Sequence, residues 1–174
     1  MYNDTLADGL IFRTATPKDL PAITEILKMA VKRMLEQGKQ QWNENYPNET
    51  HIQADIENGT GYVLDLNGKV VAYGAVVFDG EPAYSYITGA WLADRPYVVV
   101  HRLAVSQQQE RRGLGRDFLK AVEHLALSRG VDAFRVDTNY DNYAMLHLLE
   151  KSGFSYCGEI YYEKGSRKAF EKLL

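Results

Sequence analysis

The residues best suited to do chemistry form a run of arginines and glycines at 110–116, with the sequence ERRGLGR. Apolar residues at helical spacing follow, so this run is predicted to open a helix that ends near Ser128. Helix N-termini favour acidic side chains, because their unpaired amides carry partial positive charge. Arginines and glycines there break that rule. The pattern favours an anion site, in which bare amides face a phosphate and arginines add positive charge. A solvated basic loop is the alternative.

Two common nucleotide patterns do not fit this run. A dinucleotide fingerprint needs a third glycine where Phe118 stands, and a phosphate loop needs Gly-Lys-Ser/Thr, which the sequence lacks. The ligand is therefore expected to be a different small polyanion.

Composition narrows the possible classes further. The chain has 174 residues, 20 Lys and Arg against 23 Asp and Glu, a net charge of −3 and one cysteine. The length predicts one domain over 9–174 after a frayed lead at 1–8. One cysteine excludes an internal disulfide and a Cys-based zinc site, so no metal is expected. The acidic balance argues against nucleic acid, and the lack of a signal peptide or long apolar run predicts a soluble cytoplasmic protein without membrane contact.

Hydrophobic periodicity predicts the elements that must position this run. Strands are expected at 10–14, 61–66, 70–78, 97–105, 133–137, 154–162 and 167–173, and helices at 17–38, 49–58, 113–128 and 141–151. Asn67-Gly68 predicts a hairpin turn, and 80–96 is predicted to be an irregular connection. The fold class is therefore α/β, with a mixed, mostly antiparallel central sheet of about six to seven strands and about four flanking helices.

Four motifs at compatible spacing resemble the GNAT superfamily of N-acetyltransferases. They are the strand 101–105, the turn 112–115, the helix opening at Asn142 and the ending Gly153-Phe154. The resemblance covers nearly the whole chain, from residue 10 to 174. It implies the GNAT fold and an acetyl-CoA-dependent enzyme that moves an acetyl group by direct attack of a primary amine. The C-terminal segment, which also has features of a basic amphipathic helix, becomes the last strand by this resemblance.

The resemblance also implies which residues hold acetyl-CoA. Main-chain groups near Leu103 and Val105 would pair with the pantetheine arm, and the amides of 111–116 would hold the pyrophosphate. The expected cofactor residues are Leu103, Val105, Arg111, Arg112, Gly113, Leu114, Gly115, Arg116 and Asn142. Glu110 departs from the family's usual Gln or Arg, which affects a side-chain contact and not the backbone cradle. Asn142 would serve equally as a helix N-cap.

His101 and Glu81 are the candidate catalytic residues. Histidine is the usual base near neutral pH, and strand alternation would place His101 on one face with Leu103 and Val105. The alternative for His101 is a structural hydrogen bond at the strand entry. Glu81 is a candidate base or substrate residue, and its alternative is a turn residue beside Pro82.

The general acid that the family often uses is missing. Its tyrosine would stand at Leu149, so Tyr143 or Cys157 would have to replace it, or the thiolate would leave without help. This gap motivates one alternative function, a non-catalytic acyl-CoA-binding or sensor module. Acetylation of a protein N-terminus or lysine is another alternative.

Aromatic residues and one carboxylate suggest the acceptor. Trp42, Tyr46 and Tyr84 lie in loops that border the acceptor pocket in the family, and Glu81 lies in the same connection as Tyr84. Aromatic walls and a carboxylate suit a cationic small-molecule amine. Packing of long loops is the alternative for Trp42. Paired subunits are frequent in the family, so a homodimer is also expected.

Overall fold

The computed structural model describes residues 6–39, 41–43, 45–108 and 113–174. Within these residues the helices are α1 (Leu20–Glu36), α2 (Glu49–Glu57), α3 (Leu114–Ser128) and α4 (Tyr143–Lys151), with short 3-10 helices at Pro17–Asp19 and Pro82–Tyr86. The strands are β1 (Leu10–Thr14), β2 (Gly61–Leu66), β3 (Lys69–Val77), β4 (Thr88–Gly89), β5 (Val98–Val105), β6 (Ala133–Thr138), β7 (Ser155–Tyr162) and β8 (Gly165–Leu173).

The predicted fold class is confirmed, with one strand more than expected. The sheet is mixed and has eight strands. β5 and β6 pair in parallel, whereas β1–β2, β2–β3, β4–β7, β6–β8 and β7–β8 pair antiparallel.

The additional strand is β4, inside the connection that was expected to be irregular. Gly89 lies opposite Gly158 of β7, and both have positive φ, 126° and 143°. A Cβ placed on Gly89 would lie 2.3 Å from the carbonyl oxygen of Cys157, so the two chains approach this closely only because glycine stands there. A two-residue strand has no periodicity, which is why the sequence pattern did not predict it.

The chain divides into two compact units. Unit 1 comprises Met1–Val76 and His101–Val122, and unit 2 comprises Val77–Val100 and Glu123–Leu174.

Unit 1 is built on the hairpin of β2 and β3. Asn67 and Gly68 form its turn with φ of 52° and 91°, as the primed turns of two-residue hairpins require. β1 pairs with β2, and α1 packs its apolar face into a core that includes Ile23, Leu27, Ile52, Val63 and Tyr73. In the 3-10 helix that precedes α1, the Thr16 amide donates to Asp19 Oδ2 at 2.8 Å, as in a capping box.

Unit 2 is built on β6, β8 and β7, in that order, with β4 next to β7. Val98 and Val99 of β5 pair in parallel with Phe134 and Arg135 of β6. The C-terminal segment is β8, as the resemblance implied, and not an amphipathic helix. None of the helices among the described residues combines the length and hydrophobicity that crossing a bilayer requires.

Candidate active site

The strand that carries His101 is not regular. Arg102 has a φ of 57°, in the left-handed region that side-chain-bearing residues seldom occupy. His101, Arg102 and Leu103 are each half-buried, and Ala104 is buried. Strand alternation requires extended residues throughout, so it cannot be carried across Arg102. In this strand, alternation therefore does not place His101 on one face with Leu103 and Val105.

A buried ion pair accompanies the left-handed residue. The Arg102 Nε donates to Asp55 Oδ2 at 3.0 Å, and its Nη2 donates to Asp55 Oδ1 at 2.6 Å. Their side chains are 15% and 8% exposed. Burial lowers the pKa of Arg102, but hydrogen bonds and charge from Asp55 and Tyr46 outweigh it, so the net shift is upward and the guanidinium stays charged.

Two phenols complete this cluster. The Tyr46 hydroxyl accepts a hydrogen bond from Arg102 Nη1 at 3.1 Å, and the Tyr73 hydroxyl donates to Asp55. Burial, and next the carboxylate of Asp55, raise the pKa of Tyr73, so its hydroxyl remains a proton donor across the neutral range. Arg102, Asp55, Tyr46 and Tyr73 are hereafter called the Arg102 cluster. Sequence reasoning found Tyr46 but missed the other three.

Trp42 does not form an exposed wall. It is 5% exposed and packs in the core of unit 1 with Ile23, Val31 and Ile52. Packing is therefore the role that its surroundings support. Tyr46 is half-buried; its ring contacts His51 edge-on at 4.8 Å, and its hydroxyl is bonded to Arg102.

The start of α3 carries the glycines of the predicted anion site. Gly113 has a φ of 82° and is exposed, and, its chain neighbours aside, a Cβ placed on it would meet none of the described residues within 4 Å. Leu114 is buried and anchors the first turn, Gly115 is half-buried, and Arg116 is exposed. The first amides of a helix have no partner within the helix. These residues fit a phosphate cradle; Arg111 and Arg112 lie outside the described residues.

Glu81 and Tyr84 have structural roles in unit 2. Glu81 caps the 3-10 helix Pro82–Tyr86, where its carboxylate accepts from the Ala83 amide at 3.4 Å, in line with the turn alternative. Tyr84 is 1% exposed, and its hydroxyl donates to Asp137 Oδ2 at 2.7 Å. Burial, and next the charge of Asp137, raise the pKa of Tyr84 well above its usual value. Tyr84 is a core residue and not an exposed wall.

Asn142 and the candidate acids lie on or near α4 and β7. Asn142 caps α4 by accepting from the Met145 amide at 3.2 Å, the N-cap role considered above. Leu149 is fully buried, and Tyr143 is 68% exposed. Cys157 is half-buried; burial, and next the charge of Glu171, raise the pKa of its thiol, so it stays protonated near neutral pH.

Comparison with known proteins gives the class of the chain. The sequence profile described as the acetyltransferase (GNAT) family matches residues 24–154. The chain belongs to this family and is an N-acetyltransferase enzyme, which confirms the resemblance read from its motifs. The protein named N-acetyltransferase YesJ of Bacillus subtilis (strain 168) is 25% identical over 160 residues, which cover 90% of this chain and 87% of that protein.

Solved structures agree with this assignment. The GNAT family acetyltransferase from Streptococcus agalactiae 2603 is 34% identical, with a TM-score of 0.87 and 96% of each chain covered. The Salmonella typhimurium protein yncA, solved with its cofactor acetyl-CoA, is 20% identical and shares the fold, with a TM-score of 0.67 over 96% of this chain and 95% of that one.

Proposed function

We propose that this protein transfers the acetyl group of acetyl-CoA to the primary amine of a small molecule. The observation that carries the proposal is the N-terminus of α3, where a Cβ on Gly113 would contact none of the described residues beyond its chain neighbours. Such a site suits a polyanionic cofactor, because the unpaired amides and the dipole at a helix N-terminus attract phosphate.

In this proposal the amides at 111–116 bind the pyrophosphate, and Arg116 adds positive charge. Main-chain groups of Leu103 and Val105 bind the pantetheine arm, and Asn142 holds the start of α4 in place. Bound acetyl-CoA supplies the acetyl group as an activated thioester. The chain's own residues bind and orient it.

His101 is the proposed general base. An alkyl ammonium must lose a proton before its nitrogen can attack a carbonyl, and imidazole accepts that proton near neutral pH. The half-buried ring of Tyr46 is the proposed aromatic contact for the acceptor's positive charge. Leu149 carries no proton to donate, so the departing thiolate takes its proton from water.

The proposal is tested by thiol release from acetyl-CoA with a panel of small amines and peptides. We expect release that depends on a small amine and falls at least about a hundredfold, to a rate that is still measurable, in His101→Ala. Failure of acetyl-CoA to bind at millimolar concentration in calorimetry would overturn the proposal. An acetylated peptide as the only product would reassign the acceptor to proteins.

Gly113→Val tests the cradle directly. We expect it to raise the acetyl-CoA dissociation constant at least about tenfold, because the branched side chain fills the space that the phosphate needs. Gly38→Val is the matched control: its φ is 70° and its surroundings are equally open, so the backbone strain is similar and the cofactor is not involved. Equal affinity of both variants would show that Gly113 is not part of the cradle.

A further inference from the structure

Arg102 occupies a backbone conformation that its own residue type disfavours. Glycine and asparagine adopt a positive φ at much lower cost than arginine. The Arg102 side chain is also mostly buried, where a charged group is costly unless it is paired. An arginine at this position is therefore unfavourable on both counts. This indicates that its side chain has a role that glycine could not perform.

The Arg102 side chain is held by three hydrogen bonds to two residues. Asp55 of α2 accepts two hydrogen bonds from it, and Tyr46 accepts a third. Tyr73 of β3 donates to Asp55 and so fixes the carboxylate. A two-pronged pair between guanidinium and carboxylate defines direction as well as distance. The cluster thereby fixes the plane of the guanidinium and, through the side chain, the backbone at Arg102.

His101 is the immediate neighbour of this residue. The peptide that joins the two residues turns with the left-handed backbone at Arg102, so the direction of His101 relative to Leu103 depends on that conformation. A regular strand at Arg102 would rotate the imidazole away from its present direction. We propose that Arg102 and Asp55 are positioning residues, whose ion pair holds the turn in β5 that aims His101 at the acceptor amine. This inference rests on the proposed role of His101 as base.

The first test is a double-mutant cycle between Asp55→Asn and His101→Ala, measured as kcat at a temperature at which all variants are folded. Asp55→Asn keeps the shape of the side chain but weakens its hold on Arg102. We expect it to lower kcat at least about tenfold in the wild-type background and less than about twofold in His101→Ala, because it acts through the imidazole. Arg102→Lys, which keeps the charge but loses the two-pronged contact, should lie between wild type and Asp55→Asn.

Asp19→Asn is the matched control. Asp19 also accepts two hydrogen bonds from one arginine in unit 1, from Arg13 Nη1 at 2.8 Å and Nη2 at 2.9 Å. It is buried like Asp55 but holds no residue of β5. We expect Asp19→Asn to leave kcat unchanged. Equal losses of kcat in the two Asn variants, or additive losses in the cycle, would overturn the inference, because both outcomes indicate general destabilisation.

A second measurement separates this inference from the proposed function. The imidazole resonances of His101 in the protein without cofactor report its surroundings whether or not the enzyme turns over. We expect Asp55→Asn to shift them and Asp19→Asn to leave them in place. If no amine supports thiol release but these shifts appear, the acceptor proposal fails and the positioning of His101 stands. If wild type turns over and the resonances do not move, the positioning inference fails alone.

Discussion

Two buried arginine–carboxylate pairs, one in each unit, show how similar contacts serve different ends. In unit 1, Arg102 Nε lies 3.0 Å from Asp55 Oδ2, and in unit 2, Arg135 Nε lies 2.8 Å from Glu171 Oε2. Arg135 and Glu171 are directly opposite each other in the register of β6 and β8, a regular cross-strand pair. Asp55 comes from a helix, and Arg102 has a left-handed backbone. Only the first pair accompanies a distorted strand.

The residues around the two pairs also differ. The guanidinium of Arg135 lies over the rings of Trp91 and Tyr97, at 4.2 Å and 4.0 Å, and it donates to the carbonyl of Ala93. Glu171 accepts from the Leu92 amide at 2.6 Å. These partners all belong to the connection between β3 and β5, so this pair fastens a long connection to the sheet. The role of a buried pair therefore depends on what its other hydrogen-bonding groups contact. In unit 2 they hold a connection, and in unit 1 they hold the direction of one strand.

The largest effect we expect is on stability, from Glu171→Ala. It removes the acceptor of three hydrogen bonds, one from the buried guanidinium of Arg135 and two from the amides of Leu92 and Ala93, so the free energy of unfolding should fall by about 3–5 kcal/mol. Chemical denaturation measures this loss. Turnover per folded molecule should stay close to wild type, in contrast to Asp55→Asn. A large loss of turnover in folded Glu171→Ala would remove the distinction between the two pairs.

Much of the fold could be predicted because local signals agreed with long-range packing. The turn at Asn67 and Gly68, the N-cap at Asn142 and the helical spacing of α1 each follow from short-range rules. β4 escaped prediction because it exists only through the close approach of two glycines distant in sequence. No property of either glycine alone indicates its partner.

The site was predictable to the extent that it breaks a local rule. The arginines and glycines before α3 are unfavourable for a helix start, and that conflict pointed to an anion. Trp42 and Tyr84 were expected to be pocket walls because their loops border the acceptor pocket in the family, yet both are core residues. The Arg102–Asp55 pair gave no signal, since 47 residues separate its members and arginine does not indicate a left-handed backbone.

Removing the tyrosine hydroxyl near each pair should have a smaller effect and should also distinguish the two pairs. Tyr73→Phe removes the hydroxyl that donates to Asp55 and leaves the ring in the core, so unfolding should become easier by about 1 kcal/mol. If the Arg102 cluster orients His101, kcat should also fall in folded protein. Tyr97→Phe is the control in unit 2, because it keeps the ring beside Arg135 and removes a hydroxyl that accepts from the Glu81 amide. A fall in kcat for the control but not for Tyr73→Phe would contradict the assignment.

The smallest effect comes from a third pair, Arg13 with Asp19, which joins β1 to the 3-10 helix before α1. A hydrogen bond from Arg13 is the main cause that lowers the pKa of Asp19 below its usual 3.8. A carboxyl group whose pKa is lower in the folded state adds stability above the unfolded pKa and loses it as pH falls through the folded one. We therefore expect the wild-type protein to lose stability below about pH 4 and Asp19→Asn to show a flatter acid dependence, measured by denaturation at a series of pH values. The difference at neutral pH should be at most about 1 kcal/mol, because Arg13 is one-third exposed and keeps Asp65 as a partner. A larger loss would mean that a pair with a partly exposed arginine is as important for stability as the two buried pairs. The effects of those two pairs would then come from charge alone and not from the segments that they hold.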